Sequence, residues 1–188
     1  VKEYRLFVIA RFFLTFSIQI QAVVVGWHIY TLTHDPFSLG LIGLAEAIPA
    51  ISVALFGGHL ADSINRKNII VTVTITLLAC SLALASATGY LSHSPSILTT
   101  MLYLIIFISG LARGILGPAI FAFWPQLIDD KNIYGNAVVW NSTMWQVSST
   151  LGPAIGGLVI APFGIQNSYL FDAFFLFISF LLFFYIRS

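Results

Sequence analysis

Charge is nearly missing from this chain of 188 residues, of which only 8% are Asp, Glu, Lys or Arg. Soluble domains hold about 25%, so a water-exposed fold of this size could not cover its apolar surface. Cysteine is reduced to Cys80 alone, which excludes an intrachain disulfide; within an apolar run it reads as a small buried hydrophobe. No long basic run is present, which removes the electrostatic footprint of a nucleic-acid partner. The histidines, His28, His34, His59 and His93, are scattered rather than spaced as a metal cluster. The His-Glu-x-x-His pattern of zinc peptidases is absent, as is the Gly-x-x-x-x-Gly-Lys-Ser/Thr phosphate cradle, and no Gly-x-Ser-x-Gly nucleophile turn occurs. An enzyme, a cofactor and a bound metal are therefore not expected. The first apolar run is too long for a cleavable signal peptide, and no small-residue cleavage site follows it.

What fills the sequence instead is apolar: 59% of residues are hydrophobic. Crossing ~30 Å of hydrocarbon takes about 20 such residues in a helix. Six stretches qualify, at 6–30, 38–60, 69–90, 97–119, 137–160 and 168–186. They are separated by helix punctuation such as His34-Asp35-Pro36, Ser92-His93-Ser94-Pro95 and Ala161-Pro162-Phe163-Gly164, where Pro and Gly interrupt the helical pattern. Barrel strands would be about ten residues long and alternate in polarity; these runs do neither. The expected fold is an all-α integral membrane domain of six transmembrane helices.

Lys and Arg set the orientation. Lys2, Arg5 and Arg11 precede or enter the first run, Arg66 and Lys67 lie in the second loop, Lys131 in the fourth, and Arg187 follows the sixth run. The first, third and fifth loops hold none, so the positive-inside rule places both termini in the cytoplasm. Trp27, Tyr30, Tyr90 and Tyr169 would mark the outer interface, and Trp124, Tyr134 and Tyr185 the inner one.

The densest charge lies in Gly58-His59-Leu60-Ala61-Asp62-Ser63-Ile64-Asn65-Arg66-Lys67. The flanking runs carry one formal charge between them, Glu46. Asn65 is suited to a left-handed turn conformation. Arg66 and Lys67 open the third helix, where the helix dipole disfavours cations, so a charge network with Asp62 is expected beside simple anchoring. Gly58-x-Leu60-Ala61-Asp62-x-x-Asn65-Arg66-Lys67 resembles the loop between helices 2 and 3 of the major facilitator superfamily, with Asn65 where Gly is usual. The resemblance implies a cytoplasmic network in which an acidic residue near the inner end of helix 4, Asp129 or Asp130, takes part.

Two further strings carry the resemblance. Leu151-Gly152-Pro153-Ala154-Ile155-Gly156-Gly157 in helix 5 is similar to the Gly-Pro-x-x-Gly-Gly element of family exporters; physically, Gly152 and Gly156 make a GxxxG face for close helix approach, and Pro153 permits a bend. In helix 4, the spacing of Arg113 and Gly117 is similar to an Arg-x-x-x-Gly element of drug–proton antiporters. The whole string looks most like the bacterial branch of siderophore and macrolide exporters. It corresponds to the N-terminal six-helix half of a twelve-helix transporter, and that half is built in this superfamily as two inverted three-helix repeats. The opening at Val1 and the end just past the sixth run suggest a fragment, whose partner is a missing C-terminal half or a second copy.

Charges inside a bilayer face a cavity or a partner. Glu46 and Arg113 are such charges, and Asp172 sits a few residues inside the sixth run, within reach of outer water. By analogy with the family, Gln19 and Gln21 of helix 1 join Glu46, Arg113 and Asp172 as candidates for the transport path or its coupling. Glu46 is read either as a proton carrier or as a structural or pore-lining group. The resemblance implies proton-coupled efflux of a small amphipathic molecule, a drug or siderophore, across a bacterial cytoplasmic (inner) membrane, with protons and lipid as further partners. The competing reading is a non-transporting membrane assembly or receptor-like subunit of the same fold.

Overall fold

A computed structural model describes residues 2–63, 65–128 and 133–186, and of 55–63 the backbone path alone. The described residues form helices and no strand: α1 Lys2–Thr33, α2 Pro36–Ser63, α3 Arg66–Tyr90, α4 Pro95–Phe123, a short 3-10 turn Trp124–Leu127, and α5 Tyr134–Tyr185. All five α-helices are long and apolar enough to cross a membrane. They run several residues past the apolar stretches, because polar end turns continue the helix once capped.

The caps are local chemistry. Asp35 accepts from the Phe37 backbone N–H at 3.0 Å and from the Ser38 hydroxyl at 3.2 Å, and Pro36 follows at the first helical position, where its missing donor costs nothing. Pro95 opens α4 in the same way. Asn65 departs from expectation. Its backbone, at φ −58° and ψ 117°, is extended rather than left-handed, and its Oδ1 accepts from the Lys67 N–H at 3.0 Å. It serves as the N-cap of α3, satisfying a donor that the first turn leaves open. Among the described residues of these loops, the left-handed conformation is taken by His34, at φ 51° between α1 and α2.

Fifty-two helical residues in α5 would measure about 78 Å if straight, more than twice the hydrocarbon thickness. The backbone leaves helical geometry at Gly164, φ 76° and ψ 171°, a conformation open essentially to glycine. Contacts with α1 show what the break does. In the arm before it, Ala137, Ser148 and Gly156 meet Tyr4, Phe12 and Ile20 in rising order. In the arm after it, Tyr169, Asp172 and Ser179 meet His28, Ser17 and Ala10 in falling order. The chain reverses direction at Gly164, and both arms pack along α1.

Side-chain burial divides the interior into two apolar cores. One is built on Phe7, Leu14, Ile70, Leu77, Phe123 and Phe183, the other on Ile20, Val24, Ile29, Leu84, Leu102 and Tyr169. Tyr169 is 0% exposed, so it is a core residue and not a marker of the outer interface; its hydroxyl lies 3.1 Å from His28 Nδ1. Between the cores lies a belt of buried polar groups, Ser17 and Gln21 of α1, Ser81 of α3, Ser109 of α4 and Asp172 of α5.

Candidate functional site

Apart from Ser109, whose hydroxyl is buried with no hydrogen-bond partner, the belt is one connected network. The Arg113 guanidinium is ion-paired to the Glu46 carboxylate, and its second amino group donates to Gln21 Oε1 at 2.5 Å. Gln21 Nε2 donates to Asp172 Oδ2 at 3.2 Å. Asp172 also accepts from the Ser17 hydroxyl and from Ser81 at 2.5 Å. Four helices and the second arm of α5 thus contribute one or two polar groups each to the same level of the bundle. In a membrane core, a charged group persists only with such partners.

Close backbone approach makes the Glu46–Arg113 pair possible. Gly110 and Gly114 lie one turn apart on α4, and a Cβ on either would strike α2 backbone, at Glu46 O and Ala50 O respectively. This small-residue face lets α4 sit against α2 beside the ion pair. The Gly110-x-x-x-Gly114 spacing stands in the sequence, but the Arg113–Gly117 element overlaps and obscures it. Gly117 faces open space.

Gly152 and Gly156 likewise meet α1, at Gln19 Cβ and at Ile20. Pro153 is half-buried between them, and Gly157 has open space around it. Gln19 is thereby placed against Gly152, while Gln21, two residues on, enters the network. Asp172 is 0% exposed, which corrects the expectation that it reaches outer water. It is enclosed by α1 and α3, whose Ser17 and Ser81 hydroxyls donate to it. Ser81 and the His28–Tyr169 pair carry no signal in sequence beyond a polar residue in an apolar run.

At the cytoplasmic loop expected from the sequence, Arg66 and Lys67 act on helix ends other than their own. Arg66 donates to Ala122 O at 3.3 Å, near the C-terminus of α4. Lys67 donates to Phe184 O at 3.0 Å and to Ile186 O at 2.5 Å, at the C-terminus of α5. Unpaired C-terminal carbonyls and the negative end of the dipole both favour a cation there. The surroundings of Gly58, the side chain of Asp62, and all of Asp129 and Asp130 lie outside the described residues.

Cavities flank α1. One of about 220 Å³ between α1, α2 and α4 is lined by Gln21, Glu46 and Arg113 together with Val25, Leu39 and Ile42. A larger one of about 630 Å³ lies between α1 and the first arm of α5, lined by Arg5, Phe12, Phe13, Trp140 and Met144 among others. Beside it, Arg11 donates to Asn141 and lies 5.8 Å from the Phe121 ring centre. Among the described residues no group of His, Cys, Asp and Glu could hold a metal ion.

Comparison with known proteins agrees with this architecture. The profile of a family described as transmembrane secretion effectors matches residues 1–187. The staphyloferrin A transporter of Staphylococcus aureus (strain NCTC 8325 / PS 47) is 25% identical over 168 residues, 87% of this chain and 40% of that protein. The enterobactin exporter EntS of Escherichia coli O1:K1 / APEC is 27% identical over 167 residues, 88% of this chain and 39% of that protein. The chain thus spans about two fifths of the length of these relatives. In fold it is similar to the POT family transporter PepTSo, solved in meso, with a TM-score of 0.79 and 17% identity over 97% of this chain and 37% of that one. The chain belongs to the transmembrane secretion effector family of the major facilitator superfamily, whose members are transporters rather than enzymes.

Proposed function

We propose that this chain is the N-terminal half of a proton-coupled exporter, crossing the membrane six times with both termini in the cytoplasm. The reversal at Gly164 supports counting α5 as two spans, and the alternation of Lys and Arg among the loops supports the orientation. The two curated relatives bear names of siderophore transport, which favours a small amphipathic cargo of that class. The cavity lined by Arg5, Phe12 and Trp140 offers aromatic surface and a cation for such a molecule. A second six-helix half, on the same polypeptide or another, would close the open side of the path.

The Glu46–Arg113 ion pair on the wall of a cavity is the observation that carries the reading. A carboxylate held by a guanidinium is ionised; when the pair parts during the cycle, a carboxyl left in an apolar setting takes up a proton instead. Transport and protonation are thereby tied to one contact between α2 and α4.

Everted membrane vesicles carrying the full-length protein test this against a non-transporting role. Accumulation of a siderophore from a panel should need an imposed proton gradient, stop on adding a protonophore, and be lost in Glu46→Gln. No gradient-dependent accumulation of any compound would favour the receptor-like alternative; accumulation that Glu46→Gln leaves intact at every pH would remove the coupling role.

A further inference from the structure

The network holds two carboxylates and one guanidinium. Glu46 takes the Arg113 guanidinium directly, whereas Asp172 reaches it only through the Gln21 amide, which accepts from Arg113 and donates to Asp172. Asp172 is fully buried, and its immediate donors, Ser17, Ser81 and Gln21, are all neutral. A buried ionised carboxylate without a cation of its own is strongly disfavoured.

The serines around it suit two charge states. Ser17 Oγ touches Asp172 Oδ1 and also lies 2.9 Å from the Asp172 carbonyl oxygen. Ser81 Oγ lies 2.5 Å from Asp172 Oδ2 and 3.0 Å from Tyr169 O. Each hydroxyl therefore has two acceptors in reach. It can donate to an ionised Asp172, or turn to the backbone carbonyl and accept from a protonated one. Neither state leaves the Asp172 carboxyl or the Ser17 and Ser81 hydroxyls unmatched, a condition few buried carboxyls meet. The guanidinium also holds a donor not yet used, since Arg113 Nε is buried with no hydrogen-bond partner.

We propose that Asp172 is a reversible proton-binding site, protonated while Glu46 holds Arg113 and ionised when Arg113 turns to it through Gln21. Protonation adds one O–H to the carboxyl; as Arg113 passes from Glu46 to Asp172, Asp172 releases a proton and Glu46 takes one up, so the group of Glu46, Arg113 and Asp172 keeps zero net charge. The proton comes from water in the cavity lined by Gln21, Glu46 and Arg113, and returns to water. The other titratable groups around the site are Cys80, adjacent to Ser81 on α3, and the His28–Tyr169 pair joining α1 to the second arm of α5. The use of this site in transport rests on the exporter reading, but the site itself does not.

Infrared pH-difference spectroscopy on the full-length protein in lipid bilayers reads it without any cargo. The wild type should show the carbonyl band of a protonated carboxylic acid, and Asp172→Asn should lose it. Should Asp172→Asn fail to fold, Asp172→Glu should keep the band at a shifted frequency. Glu46→Gln, which frees Arg113, should weaken the band sharply at a fixed pH where the wild type shows it. A band that survives in Asp172→Asn, an unshifted band in Asp172→Glu, or an undiminished one in Glu46→Gln would overturn the assignment. A protein that moves no cargo would still give these spectra, so failure of the exporter reading is distinguishable.

Discussion

Arg113 on α4 and Glu46 on α2 are joined as an ion pair, with side chains 12% and 31% exposed. The contact is specific to these helices because Gly110 and Gly114 remove the side chains that would hold α4 away.

Arg113→Ala leaves Glu46 and Gln21 without their donor. Breaking a buried pair costs about 3–5 kcal/mol, and the partial exposure of Glu46 places this site at about 3. The expected outcome is a clear fall in thermal midpoint in detergent. Arg113→Lys keeps the charge but cannot serve Glu46 and Gln21 at once with a planar fork, so it should regain most of that stability while transport stays impaired.

Gly114→Leu drives a side chain into the Ala50 carbonyl, and Gly110→Leu into that of Glu46. Overpacking of this kind costs roughly 1–3 kcal/mol or more and should separate α2 from α4. Gly157→Leu, with open space around it, should be neutral in the same thermal assay. Equal effects at Gly114 and Gly157 would contradict the packing described.

Much of this is legible in the sequence, and for physical reasons. Long apolar runs and Pro-Gly punctuation locate helices because a bilayer tolerates few alternatives, and Pro162 with Gly164 stands where α5 breaks. Glu46 and Arg113 announce themselves because charge in an apolar run must find a partner. The depth of Asp172 is not legible: distance from the edge of the apolar run suggests outer water, whereas its burial is set by Ser17 and Ser81 on two other helices. The conformation of Asn65 is not legible either, because a short turn can be closed by an extended N-cap as well as by a left-handed residue; only the path of the backbone decides between them. The use of Arg66 and Lys67 at the ends of α4 and α5 depends on which helix termini gather at one end of the bundle, a tertiary fact.

Lys67→Met removes the cation from the C-terminal carbonyls of α5 while keeping the stem's apolar contacts. A charge at a helix terminus is worth about 0.3–1 kcal/mol, and up to ~2 when partly buried. Hydrogen exchange should quicken in the last turn of α5, near Phe184, with little change in α1. Unchanged protection there would show that the capping contact adds nothing.

Gly164→Ala puts a Cβ on a residue at φ 76° and ψ 171°. With open space around it, the penalty is conformational, about 1–3 kcal/mol. The thermal midpoint should fall, whereas Phe163→Ala next to it, at an exposed position, should change little.

Purified full-length protein in liposomes with an internal pH indicator tests the coupling claim most directly. On addition of a transported siderophore, the wild type should move protons against the cargo, and Glu46→Gln should move none. Cargo movement by the wild type with no accompanying proton flux, or proton flux undiminished in Glu46→Gln, would contradict the account.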